Sequence, residues 1–330
     1  MKALNYSTPF SRHRGAWLAG LSLALWLNGC AVANISEARA QDSRQAEVEC
    51  APASPATMLL PGLVLPPKQV LADTLLRVHF TPPALAVANR YGLLPALHRL
   101  TAAPVGSLAR LSERQRVSEQ LAALALAVSS TAAELDCEEE RADQIADYLL
   151  DRAGSRVRTF TLLSILLGAL GTVVTGVMSL LEVRKTLYRP IGIAFGLAGA
   201  TLGLLTLRTS EVTVDFRHRR NALAAIGRGP APAPVFPAAV WAHLNQPRSH
   251  GPEALSPRQT LLHRWQTTGE LGAKDEADKQ RLLHLLFGAG GTYKASELRI
   301  RANFYDQLES SVALMKPEVF LLSQQVAALP

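Results

Sequence analysis

Two stretches at mid-chain decide the fold: Thr159–Leu181, TFTLLSILLGALGTVVTGVMSLL, and Ile191–Leu207, IGIAFGLAGATLGLLTL. They run for 23 and 17 residues without a charged side chain, and the nine residues between them hold Glu182, Arg184, Lys185 and Arg189. Hydrocarbon offers no partner to a backbone N–H or C=O, so an uncharged apolar run of about 18 residues or more reads as a helix that spans a bilayer. The second run is at the short end of that range, and its pairing with the first carries the reading. The expected fold is therefore mainly α: a two-helix transmembrane hairpin flanked by helical extramembrane regions, with a short β element after the second span.

Composition agrees. Hydrophobic residues make up 48% of the chain but aromatics only 6%, so the apolar mass is Leu, Ala and Val. That mixture favours helices over sandwiches, whose strands want β-branched and aromatic residues. Net charge is +7, of which Lys2, Arg12 and Arg14 precede the first apolar core. The other basic residues gather beside the spans, not in a stripe interleaved with aromatics, so no nucleic-acid partner is expected.

Residues 1–33 read as an export signal, with a basic start followed by the 12 apolar residues Ala16–Leu27. Ala31-Val32-Ala33 and Ala38-Arg39-Ala40 both offer small residues for cleavage. Leu27-Asn28-Gly29-Cys30 resembles the lipobox of bacterial lipoproteins, which would imply diacylglycerol on Cys30. Cys50 and Cys137 remain as an even pair, expected to form a disulfide in an oxidising compartment. Closing so long a loop is worth about 4–5 kcal/mol in the chain-entropy picture.

Outward from the spans, residues 34–67 read as a Pro-rich tether and 68–158 as an exported helical domain. From Ser107 the pattern is long and uninterrupted by proline. Leu121, Leu124, Val128, Ala132, Leu135, Ala142, Ile145 and Leu149 recur at steps of three, four or seven, the mark of one apolar face. The helix is expected to run through Gly154 into the first span (159–181) as a rigid stalk. Residues 182–190 form a short cytoplasmic loop and 191–207 the second span. Residues 208–228 hold a strand, Glu211–Phe216, and a turn. A Pro-rich linker (229–237) leads to a C-terminal helical domain (238–330). Gly288–Tyr293 lacks phosphate-loop spacing and is expected to be a corner between two helices.

Chemistry is sparse. The histidines show no metal spacing, and Asp136-Cys137-Glu138-Glu139-Glu140 reads as a solvated helix face; no catalytic residue, metal or cofactor is expected. The glycines of the spans are the stronger candidates: Gly168, Gly171 and Gly176 in the first, Gly192, Gly196, Gly199 and Gly203 in the second. Small residues four apart let helices approach closely, either closing the hairpin or joining two copies. Basic residues flank the membrane: Arg152, Arg156 and Arg158 before it, Arg184, Lys185 and Arg189 between the spans, and Arg208 after.

Export places both large regions in the periplasm of a bacterial inner membrane; an outer-membrane lipoprotein is the alternative address. The arginine count on the two flanks argues for the reverse orientation, and the export signal and cysteines are weighed above it. The functional expectation is a scaffold or interaction module without enzymatic activity, whose partners are membrane lipid and another protein or a second copy. The alternatives are a membrane-inserting, pore-forming protein and an envelope hydrolase with a dispersed site.

Overall fold

The computed structural model describes residues 50, 64–208, 212–218, 220–231, 233–247, 254–267, 269 and 271–330. The export signal, Cys30 and most of the tether lie outside them. The described chain is mainly helical. Four short helices open it: α1 (Pro67–Ala72), α2 (Thr74–Arg77), α3 (Pro82–Arg90) and α4 (Leu94–Ala102). Then come α5 (Leu108–Leu180), α6 (Lys185–Arg208), β1 (Thr213–Arg217), α7 (Ala222–Arg228), α8 (Ala238–Asn245), α9 (Pro257–Thr267), α10 (Glu276–Phe287), β2 (Gly290–Lys294), α11 (Ala295–Ala313) and α12 (Met315–Ala327).

Helix α5 organises everything else. Ser107 caps it, its hydroxyl oxygen accepting from the Arg110 N–H, and no proline interrupts the 73 residues that follow. At 1.5 Å per residue it is about 110 Å long, of which the first 75 Å or so stand clear of the apolar span. All eight residues of its apolar stripe are buried, from Leu121 at 5% exposure to Leu149 at 1%. Their cover is the chain's own C-terminus. Arg299 meets Asp147 at 2.7 Å, Arg301 meets Glu138 at 3.5 Å, and Arg114 donates to the Leu329 carbonyl. Helices α11 and α12 therefore run antiparallel along α5 and cover its stripe. The regions before and after the spans are one folded body.

Three expectations need correction. Gly288–Tyr293 is not a helical corner: Gly290–Lys294 is strand β2, antiparallel to β1 with Thr213 opposite Lys294 and Arg217 opposite Gly290. The glycines permit it, because a Cβ on Gly290 (φ +92°) would lie 2.2 Å from the Phe216 carbonyl oxygen. The Pro-rich stretch before α8 is not a free linker, since Val235 and Phe236 are buried and Phe236 stacks on Trp241 at 5.4 Å. The loop between the spans is shorter than expected. Helix α6 starts at Lys185, so Lys185–Pro190 are helical and Pro190 lies inside the helix.

Covering the stripe makes α5 the core of the body as well as its stalk. Leu135→Ala should lower the unfolding free energy by about 2–5 kcal/mol. Leu126→Ala, on the exposed side, should stay within about 0.5 kcal/mol. Denaturant titration of the detergent-solubilised protein reads both.

Candidate interaction surfaces: the hairpin and the joint above it

Among the described residues, two helices are long and apolar enough to cross a membrane, and only 6% of the apolar window of each is buried. The core helix of a soluble protein would be mostly covered. The hairpin glycines separate into two groups. Gly171, Gly192 and Gly199 lie at the helix contact. A Cβ on Gly171 would stand 2.7 Å from the Phe195 Cβ, and one on Gly192 would stand 3.0 Å from the Thr175 Cγ2. At Gly199 the approach admits an interhelical hydrogen bond, the Ser164 hydroxyl donating to the Gly199 carbonyl at 2.9 Å. Gly168, Gly176, Gly196 and Gly203 have nothing within 4 Å of an added Cβ. The first group closes the hairpin and the second leaves room for a further helix.

The basic residues fall in three places. Arg152, Arg156 and Arg158 lie on α5 just before the span; Arg184 is in the turn, with Lys185 and Arg189 in the first turns of α6; Arg208 ends α6. Arg152 donates to the Tyr148 hydroxyl, with its guanidinium 5.7 Å from that ring. Cys50 and Cys137 are disulfide-bonded with Cα atoms 5.7 Å apart, which ties a residue within the tether to the middle of α5.

Where the chain returns from the apolar hairpin, a buried polar joint binds β1, α11 and α5. Glu138 accepts from Arg141 at 2.9 Å and lies 3.5 Å from Arg301, which is fully buried. Phe216 is flanked by both guanidiniums, at 4.5 Å from Arg141 and 5.6 Å from Arg301. The joint extends to His218. The Tyr293 hydroxyl lies 2.9 Å from the Leu285 carbonyl oxygen and 3.0 Å from His218 Nε2. His218 Nδ1 lies 3.1 Å from the Gly288 carbonyl oxygen and 3.0 Å from the Asn221 amide nitrogen. Burial, and then the Arg301 charge, push the imidazole down to about 3, so it stays neutral. A second buried cluster ties α3 to α12: Tyr91 donates to Glu318 at 3.1 Å and lies 3.1 Å from His243. Arg90 donates to the same carboxylate at 2.7 Å.

The acidic stretch of α5 is not simply solvated. Carboxylate oxygens of Asp136, Glu139 and Glu309 lie within 4.8 Å of one another. Partial burial, then the charges of Asp306, Asp136, Asp143 and Glu309, raise Glu139 to about 7. Sequence reading missed this repulsion because Asp306 and Glu309 arrive from α11. A groove of about 560 Å³ between α5 and α12 is lined by small and apolar groups such as Ala122, Ala125 and Phe320, and its titratable members are Arg114 and Lys316. Two cations there make no acid–base pair. No protein-family model, curated protein or solved structure matches the chain, so the geometry stands alone.

His218 and Glu139 give opposite pH signatures. His218 has a folded-state value below its unfolded one, so its contribution is whole above pH 6.5 and is lost as pH falls toward 3. Glu139 has a folded-state value above 4.5, so its contribution is whole below that pH and is lost as pH rises through about 7. Glu139→Gln should therefore raise the melting temperature at pH 8 more than at pH 5. Equal shifts at the two pH values would contradict the repulsion.

Proposed function

We propose that this chain is a bacterial envelope protein that acts as a membrane-anchored scaffold, working through protein contacts and not through a reaction of its own. The observation that carries the reading is the continuity of α5, which is at once the first span and the central helix of the folded body. A body built on its own membrane helix cannot swivel on a flexible leash; it presents its surfaces at a fixed height and tilt. Because regions on both sides of the hairpin share one core, both belong to one side of the bilayer. The disulfide supports the exported side, where thiols oxidise, and with it a cytoplasmic turn at Arg184.

Self-association follows from the open glycines. In lipid, packing and not hydrophobicity joins helices, and Gly168, Gly176, Gly196 and Gly203 offer small surfaces that the hairpin does not use. A membrane-inserting toxin would carry its apolar hairpin folded away before insertion, whereas here it stands outside the body.

Two measurements test the proposal. The chain should stay in the pellet after alkaline carbonate extraction; recovery in the wash would end the membrane reading. Gly168→Leu combined with Gly196→Leu should reduce the mass of the detergent-solubilised particle from a dimer or larger to a monomer, read by light scattering. Gly171→Leu should instead destabilise the hairpin itself. An unchanged mass in the double variant would remove self-association.

A further inference from the structure

We propose that the groove between α5 and α12 binds a long-chain fatty carboxylate, its headgroup at Arg114 and Ser118 and its alkyl chain along Ala122, Ala125 and Phe320. Both walls are helix faces built mostly of small side chains. On α5, Ser118, Ala122, Ala125 and Ser129 follow at steps of four, three and four. On α12, Lys316, Phe320, Ser323 and Ala327 repeat those steps. Buried Leu121 and Val319 form the floor between them, while Phe320 stands on the rim at 62% exposure.

Size selects the occupant. The volume of about 560 Å³ extends over about 16 Å between the levels of Ser118 and Ser129, so its mean section is about 6 Å across. An α-helix with its side chains is about 10–12 Å wide, and it would ride above the floor and leave it empty. A single alkyl chain reaches the floor and takes its apolar walls out of water. The span suits an extended chain of about myristate length, and a cleft of this volume is the usual setting for a small ligand.

Charge selects the headgroup. The titratable groups of the groove are both cations, and among the described residues neither is in an ion pair. Arg114 donates through Nη2 to the Leu329 and Pro330 carbonyls. Those bonds hold the guanidinium at one end of the groove and leave its other nitrogens to donate to a carboxylate. At the far end, Asp136, Glu139 and Glu309 crowd within 4.8 Å of one another and repel an anionic head; Glu309 is the acid that feels the Lys316 charge. The head therefore goes to Arg114, and the tail passes Phe320 toward the alkyl stem of Lys316. Ser129 stands about 45 Å before Thr159 along α5, so the site belongs to the folded body and holds whether or not the hairpin crosses a bilayer.

The test uses the full chain in phosphatidylcholine nanodiscs and a myristate analogue with a diazirine in its tail; crosslinked peptides are read by mass spectrometry. Adducts should fall on residues 118–129 and 316–327. Unlabelled myristate and tetradecanol, the same chain without the charge, then compete for them. The ratio of their potencies should fall by about tenfold in Arg114→Gln. It should not move in Arg116→Gln, whose exposed guanidinium pairs with Glu113 at 3.2 Å. Ala122→Leu with Ala125→Leu fills the groove and should abolish the adducts; if that variant does not fold, the Arg114→Gln ratio decides. Adducts confined to the hairpin, adducts that survive the filled groove, or a ratio unchanged in Arg114→Gln overturn the site. A fall in particle mass in the filled variant, with no groove adducts on the parent chain, would give the groove to a second copy and overturn it as well.

Discussion

One constraint shapes the molecule: a single helix carries both an apolar stretch long enough to cross a membrane and the scaffold of the folded body. Residues 108–149 of α5 bury their apolar stripe under the C-terminal helices, and residues from Thr159 onward show their apolar surface to the outside. The same backbone passes from covered to exposed apolar surface within about ten residues, and the arginines sit at that change. No proline and no capping motif breaks the helix there.

The antiparallel cover by α11 and α12 needs the chain to leave the body, run out and back through the apolar hairpin and return to its starting level. The hairpin turns within Leu181–Arg184, and Gly171, Gly192 and Gly199 let its helices approach closely. The return is fastened by the Glu138 joint. A buried arginine such as Arg301 is costly without a partner, and loss of one member of such a pair typically costs about 3–5 kcal/mol. The joint therefore sets the level at which the returning strand docks as well as adding stability. Not every contact is favourable: the carboxylates of Asp136, Glu139, Asp306 and Glu309 repel across the α5–α11 seam beside the disulfide.

Local pattern made much of this legible. The stripe from Leu121 to Leu149 showed in its three- and four-residue steps, because burial along one helix leaves a periodic trace in one segment. The apolar runs, the even cysteine pair and the strand after the second span were legible for the same reason. What sequence could not show was pairing between distant segments. Gly288–Tyr293 looked like a corner because glycines break helices, and only β1, some 75 residues earlier in chain order, makes it a strand. The acidic cluster and the Arg301 joint likewise depend on which helix faces α5. Which glycines close the hairpin depends on helix rotation, which spacing alone leaves open.

The claim that body and span are one continuous unit crossing the bilayer as a hairpin is tested most directly by sidedness. Single cysteines at Val183, in the turn, and at Phe320, on the body, can be probed in sealed proteoliposomes with a membrane-impermeant maleimide. Phe320→Cys and Val183→Cys should label from opposite sides of the bilayer, each blocked from the other. Labelling of both positions from the same side would contradict the account.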